Sequence, residues 1–321
     1  MRAEVLPSEE AQPLASEAWP MEFVSVCGCC VLAKRSPDEL AATRLLRSEL
    51  DDAPPDAGGS QSSHMAESDL VPNVYEGGFK VWECTHDLLL VLHELAGSGE
   101  LLLDGARVLE AGCGAGLPGA LTMRLGAQEV VMQDFNANVI RASTIATFRL
   151  NGLLPAGDDE RRRVRFLCGD WRRVSAQLLS EGAVKRMASA GGRCEDAEGG
   201  DFDIVLSADT LYSPEASGWL WQLVREQLRP GGTALIAAKL YYFGVGGSVA
   251  GFKALVATDP RFSCSTLRTF DDGTSNRREC FAVRRDQSAA IAASSSGTTS
   301  ASTGDAGANG DGAGTSFRFS F

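Results

Sequence analysis

Three glycines at alternate positions, Gly112, Gly114 and Gly116, follow a short apolar run, Arg107 to Ala111, and precede a helix-like stretch, Pro118 to Leu125. Glycine lets the backbone turn sharply and approach a ligand closely, and the helix start behind it offers free N–H groups. Dinucleotide binders space these glycines as G-x-G-x-x-G, with the pyrophosphate on the helix end. Here the third glycine comes one residue earlier, Leu117 occupies the dinucleotide position, and Gly119 lies beyond it. Glu110 puts a carboxylate just before the loop, unfavourable for a pyrophosphate and favourable for a ligand carrying an ammonium or sulfonium group. Asp134 ends a second apolar run, Glu129 to Asp134, 22 residues after Gly112. An acid about 20 residues on is where a ribose diol is gripped; the same Asp also suits a cap on the helix that Asn136 and Ala137 begin. Gly169-Asp170-Trp171 closes a third run, Val164 to Cys168. Asp170 can accept from an exocyclic amine, and Trp171 offers a stacking face.

The elements that must position these residues alternate in type. Phe202 to Ser207 and Thr233 to Ala238 read as fourth and fifth strands, and helical patterns fall at Ala137 to Leu150 and Glu215 to Leu228. Strands alternating with helices imply a parallel sheet covered on both faces. Ligands of such sheets bind beyond the carboxyl ends of the strands, which is where the glycine loop, Asp134 and Asp170 fall. S-adenosylmethionine, which carries adenosine, a sulfonium and an ammonium group, suits this set. Ser248 to Thr258 then reads as a helix, followed by a hairpin, Arg261 to Phe270 and Glu279 to Arg285, around an Asp271-Asp-Gly turn. Such a hairpin adds one antiparallel strand at the end. The expected fold is thus α/β, Rossmann-like, with helices on both faces and the last strand antiparallel.

The chain has 321 residues, of which 44% are hydrophobic, enough for one large core. Residues 69–285 form the expected domain, with 181–201, rich in Gly, Ala and charge, as an insertion. Residues 1–68 read as an extension with one helix, begun by Ser36-Pro37-Asp38-Glu39, and a Pro/Gly/Ser/Asp linker over 51–63. Residues 286–321 are almost all small and polar and read as a disordered tail. The formal net charge of −12 disfavours direct nucleic-acid binding and suits a basic partner. No run approaches the ~20 apolar residues of a membrane helix. The longest, Phe23 to Ala33, contains Cys27, Cys29 and Cys30 and reads as a cysteine-bearing mobile segment. The nine scattered cysteines read as reduced thiols of an intracellular protein. His86 and His93 share one helix face and find no third ligand, so no metal site is expected.

With these residues in place, the chain resembles class I S-adenosylmethionine-dependent methyltransferases. A narrower resemblance rests on Tyr75-Glu-Gly-Gly-Phe-Lys-Val-Trp-Glu-Cys-Thr85, Gln133-Asp-Phe-Asn136, Gly169-Asp-Trp171 and Lys239-Leu-Tyr-Tyr-Phe-Gly-Val-Gly-Gly247. These are similar to segments of the eukaryotic histidine protein methyltransferases, and the likeness covers Asp69 to Arg285. It implies a seven-stranded sheet and methyl transfer from S-adenosylmethionine to a histidine of a large-subunit ribosomal protein. It implies cofactor contacts from Val81, Trp82, Glu83, Cys84 and Thr85, from Gly112, from Gln133, Asp134 and Asn136, from Gly169, Asp170 and Trp171, and from Ser207. Glu110 and Gly114 join this set through the loop. Two positions depart from the family pattern: Asp209 stands where a glutamate-like residue is common, and Glu110 where Asp is frequent. Both swaps keep the charge and change reach by one methylene.

A neutral imidazole has one nitrogen with a free lone pair, so it attacks an activated methyl without a strong base. It needs an acceptor on its other nitrogen to fix the tautomer. Asp209, Glu83 or a carbonyl of residues 207–212 can serve; Asp209 is assigned as orienter, with Tyr212 and Tyr242 flanking the ring. Asp209 also suits a helix cap before Pro214, and plain packing accounts for one or two of Tyr241, Tyr242 and Phe243. Two alternatives stand beside this reading. A protein-lysine methyltransferase of the same fold shares the acidic-x-x-Tyr pattern of Asp209 to Tyr212, but must also deprotonate a group of pKa about 10.4. The other is a catalytically silent scaffold that retains the cofactor fold or binds a nucleotide, against which stand the intact glycine loop, Asp134 and Asp170. The expected protein is a monomer acting in the cytoplasm, the nucleus or both.

Overall fold

A computed structural model describes residues 4–6, 21–26, 30–35, 77–154, 163–189, 200–273 and 275–287. Its strands are β1 (Glu4–Leu6), β2 (Met21–Val26), β3 (Cys30–Arg35), β4 (Arg107–Ala111), β5 (Glu129–Asp134), β6 (Val164–Cys168), β7 (Phe202–Ala208), β8 (Leu228–Lys239), β9 (Phe262–Phe270) and β10 (Arg278–Arg285). Its helices are α1 (Glu83–Ser98), α2 (Leu117–Arg124), α3 (Ala137–Val139), α4 (Ile145–Leu150), α5 (Trp171–Ser189), α6 (Pro214–Gln227) and α7 (Val249–Val256), with a π-turn, Ile140–Thr144, joining α3 to α4.

The main sheet runs β1-β6-β5-β4-β7-β8-β10-β9. β6, β5, β4, β7 and β8 are parallel, and β10 inserts antiparallel between β8 and β9. The seven strands of the expected sheet are therefore present. Strand order reverses between β4 and β7, the switch point at which open α/β sheets bind ligands.

Each strand feeds two cores at the period of two that the pleat imposes. Val108 of β4, Val130 and Met132 of β5, Phe166 of β6 and Leu206 of β7 pack on one face with α1, α2 and α4. Leu109, Val131, Leu167 and Val205 pack on the other with α5, α6 and α7. Burial on both faces explains why these strands read as unbroken apolar runs. A buried ion pair seats α1 across the sheet: the Arg278 Nε of β10 donates to Asp87 at 2.6 Å.

Three sequence expectations need correction. β1, within the extension, adds an eighth strand antiparallel to β6, with Val5 opposite Leu167, and covers an edge that β6 would otherwise expose. The apolar run 23–33 lies across a β-hairpin of β2 and β3 rather than a mobile segment. Val24, Val26 and Leu32 are buried in the core beside α1 and α2, and Lys34 pairs with Glu22 at 2.6 Å. Residues 181–189, read as the start of an insertion, continue α5 to Ser189, where Ala, Lys, Arg and Met favour helix over the single Gly182. The helix expected from Ser36 onward, the linker over 51–63 and the tail beyond 287 lie outside the described residues. Among the described residues, no helix is long and apolar enough to cross a membrane.

Candidate active site

The carboxyl ends of β4, β5, β6 and β7 surround an open cleft, at the place where open α/β sheets bind their ligands. Its lining includes Val81, Trp82, Thr85, Gly112, Gly114, Gln133, Asp134, Gly169, Asp170, Trp171, Asp209 and Tyr212, all expected from the sequence. Five expected residues lie outside it. Glu83 pairs with Lys239 at 2.9 Å. Cys84 is buried and donates its N–H to Asp209. Asn136 is buried behind Asp134, to which its N–H donates at 3.1 Å. The Ser207 hydroxyl donates to the Ala111 carbonyl at 2.8 Å.

Glu110 is the fifth, and its expected part is corrected. It shares the strand face of Val108 and is only 3% exposed. Its Oε2 accepts the Gly119 N–H of α2 at 2.7 Å. Burial pushes its pKa to about 8. The side chain is an internal strut between β4 and α2, and it offers the cleft no charge for an ammonium or sulfonium group.

The glycine loop adopts the backbone that only glycine takes cheaply: Gly112, Gly114 and Gly116 have φ of 66°, 50° and 72°. A Cβ on Gly112 would lie 2.7 Å from the Thr210 methyl. Asp134 clasps the loop: Oδ2 accepts the Gly114 N–H at 2.9 Å and Oδ1 the Asn136 N–H. Gln133 ties three strand ends together. Its Oε1 accepts the Gly112 N–H at 3.1 Å and the Trp171 Nε1–H at 2.6 Å, and its Nε2 donates to the Gly169 carbonyl at 2.8 Å. The π-turn brings Thr144 under the loop, where its hydroxyl donates to the Gly114 carbonyl at 2.6 Å. Asp170 is held by Arg172 through two side-chain bonds of 2.9 and 2.8 Å. That bonding keeps its carboxyl below the usual range, so it remains an ionised acceptor at the rim.

The other half of the cleft follows β7. Asp209 has φ of 55°, the one described non-glycine residue with positive φ, a conformation Asp tolerates better than most side chains. Its Oδ2 accepts the Cys84 N–H at 3.1 Å, capping α1, and its Oδ1 accepts the Tyr242 hydroxyl at 2.7 Å. Burial and the Asp209 charge hold the Tyr242 phenol well above its ordinary value, so it stays a donor. Burial likewise raises the Cys84 and Cys113 thiols, which keeps both from acting as nucleophiles. Trp82 lies beneath two ammonium groups, Lys80 at 4.5 Å and Lys239 at 5.1 Å from its ring centre, and its Nε1–H donates to the Gly77 carbonyl at 3.1 Å.

The cleft also includes residues the sequence reading missed, among them Gly78, Lys80, Phe135, Thr210 and Trp219. Phe135 and Lys80 were inside quoted segments and could have been taken with them. Trp219 comes from the second turn of α6, with Arg172 4.6 Å from its ring centre, and nothing in its local sequence marks it. Tyr75 and Glu76 lie outside the described residues.

The site fits the expected cofactor, S-adenosylmethionine, on two observations: the Asp134 carboxylate beneath the loop, and the Trp171 ring fixed by Gln133. Strand order, the antiparallel β10 and the glycine loop at the switch point define the class I methyltransferase fold. Over this domain the chain is similar to the eukaryotic histidine protein methyltransferases. It is 38% identical over 215 residues to the histidine protein methyltransferase 1 homolog of Dictyostelium discoideum, covering 67% of this chain and 60% of that protein. The homolog of Rattus norvegicus is 33% identical over 231 residues, covering 67% of this chain and 58% of that protein. The chain thus spans about three-fifths of the length of the curated relatives it matches. Among solved structures it is similar to magnesium protoporphyrin IX methyltransferase from Synechocystis with bound SAM. The TM-score is 0.44 and the identity 18%, over 78% of this chain and 98% of that one. No family model matches the chain.

Proposed function

We propose that the chain is a protein-histidine N-methyltransferase that uses S-adenosylmethionine and acts on a large-subunit ribosomal protein. The observation that carries this reading is the joining of two half-sites in one cleft: the glycine loop clasped by Asp134, and the Asp209–Tyr212 segment at its mouth. The likeness to histidine protein methyltransferases supports histidine as the acceptor.

When bound, the cofactor supplies an electrophilic methyl on its sulfonium. The chain's own residues bind, orient and exclude water. Gly112 and Gly114 hold the loop at positive φ and let Thr210 and the Gly78 backbone pack against it. Asp134 is the acceptor for a ribose diol, and its two oxygens also accept the N–H groups of Gly114 in the loop and Asn136 before α3. Asp170 and Trp171 face the base. Asp209 keeps free acceptor capacity beyond its two bonds and holds the proton-bearing nitrogen of a neutral imidazole, leaving the other nitrogen to attack. Tyr212 flanks the ring. The work is alignment of an in-line displacement in a sheltered site. The net charge of −12 suits a basic acceptor protein. The expected compartments are the cytoplasm and the nucleus, where such proteins are made and assembled.

The test is transfer of labelled methyl to unmethylated large-subunit ribosomal proteins, followed by hydrolysis and identification of the modified residue. Methylhistidine, abolished by Asp134→Ala, supports the reading. Methyllysine would keep fold and cofactor and change the acceptor. No transfer, with S-adenosylhomocysteine still bound, would leave a scaffold. Asp209→Asn should lower kcat about 100-fold with S-adenosylhomocysteine affinity unchanged, a range typical of a positioned acid–base partner.

A further inference from the structure

The described residues carry six exposed large hydrophobic side chains, and three stand on one loop: Tyr241 at 60%, Phe243 at 81% and Val245 at 41% exposure. None of the six lies in the cleft lining itself, but this loop is bonded to two lining residues, Asp209 and Tyr212. The loop is firmly built. The Tyr242 N–H donates to the Gly247 carbonyl at 2.9 Å, and the Gly246 N–H returns to the Tyr242 carbonyl at 3.0 Å. Tyr241 forms a β-bridge with Ser248. Gly247 lies backbone against backbone on the cleft wall, where a Cβ would fall 1.9 Å from the Leu211 carbonyl oxygen. Its N–H donates to the Tyr212 carbonyl at 3.0 Å. Tyr242 alone turns inward, to Asp209. The aromatic faces on either side of it are thus displayed by a fixed scaffold. A patch of this kind, beside a cleft, marks an interaction surface.

We propose that Tyr241, Phe243 and Val245 form an apolar docking rim for the acceptor protein, seating an apolar side chain a few positions from the methylated residue. This rests on the reading above, that the acceptor is a protein. The occupant follows from continuity with the cleft. A side chain entering between Asp209 and Tyr212 brings its own backbone to the strip hydrogen-bonded to this loop. An extended chain advances at most about 3.3–3.6 Å per residue, so the residue that reaches the rim is a near neighbour in sequence of the methylated one. Residues 240–247 carry no charged side chain, so the contact selects apolar surface, and the basic character of the acceptor is read elsewhere. Aromatic side chains at the centre of an interface carry much of its binding free energy.

The experiment compares the full chain with a Tyr241→Ser, Phe243→Ser, Val245→Ser triple variant. Methylation kinetics use unmethylated large-subunit ribosomal proteins as the probe, with calorimetric titration by S-adenosylhomocysteine and sedimentation of each protein. The expected result is an apparent KM for the acceptor raised tenfold or more, kcat within twofold, and S-adenosylhomocysteine affinity unchanged. An unchanged KM overturns the proposal. So does a parallel loss of S-adenosylhomocysteine affinity, which would make the loop a structural part of the cofactor half. A wild-type dimer that the variant turns into a monomer would assign the rim to a second copy and also overturn it. A wild-type chain that binds S-adenosylhomocysteine yet methylates none of these proteins overturns the function reading itself, and the rim with it.

Discussion

The two halves of the cleft are built on different principles. The half at β4, β5 and β6 is closed on itself: Gln133, Asp134 and Thr144 bond the loop from beneath, and Gln133 and Asp134 are 1% and 4% exposed. The half at β7 and β8 is open: Asp209 sits at positive φ and the loop after β8 turns aromatic rings to solvent. A small ligand of constant shape can be met by a preformed, fully hydrogen-bonded cradle, which costs little reorganisation. Under the proposed function, a macromolecular acceptor supplies the rest of its own site, and the open half is finished only when it binds.

The contrast can be broken by removing the clasp. Gln133→Leu leaves the Gly112 N–H, the Trp171 Nε1–H and the Gly169 carbonyl without their partner. The expected cost is about 3 kcal/mol of stability at roughly 1 kcal/mol or more per stranded group, measured as a lowered urea midpoint at constant m-value. If stability is unchanged, water serves the clasp equally well and the closed half is not closed.

Asp134→Asn keeps the shape but turns an NH₂ toward one of two backbone donors. S-adenosylhomocysteine should bind about 100-fold more weakly, equivalent to about 2.7 kcal/mol, as read by calorimetry. On the open side, Tyr242→Phe removes one hydrogen bond to an ionised carboxylate. The acceptor KM should rise about tenfold while S-adenosylhomocysteine affinity moves less than twofold, consistent with about 1.5 kcal/mol for such a bond. Equal effects on both ligands would erase the distinction between the halves.

The last test concerns Glu110 and reads a slope with pH rather than a loss of binding. Its pKa in the folded chain, about 8, lies above the ordinary value of 4.5. Between those values the folded state holds a proton that the unfolded state releases. Stability from this group is therefore complete below pH 4.5 and falls as pH rises toward 8. Glu110→Gln retains an acceptor for the Gly119 N–H and removes the titration. Its urea midpoint should decline less from pH 5 to pH 8 than that of the unaltered chain. Parallel curves would mean that the carboxyl is already ionised in the folded state.

Much of this molecule was legible from local pattern. The sequence marks Val164–Cys168 with the bounds it has as β6, because the apolar run sets its burial and Gly169 sets its end. The positions of the glycine loop, Asp134 and Trp171 followed from strand-end logic alone. Glu110 was misassigned although the pleat marks its side: it has the parity of Val108, and so faces α2 rather than the cleft. The extra strand β1 was not legible, since Glu4 to Leu6 is too short to show periodicity and is defined only by its partner β6.

Local pattern sets the order of the elements, the two-sided burial of the strands and the glycine loop, because each depends on side-chain periodicity or backbone freedom within a few residues. Three features arise only on folding: Tyr242 bonds Asp209 across 33 residues, Trp219 reaches the cleft from α6, and Gln133 joins three strand ends. Those contacts depend on sheet order and helix packing, which bring distant residues within hydrogen-bonding range and leave no mark on the local sequence of either partner.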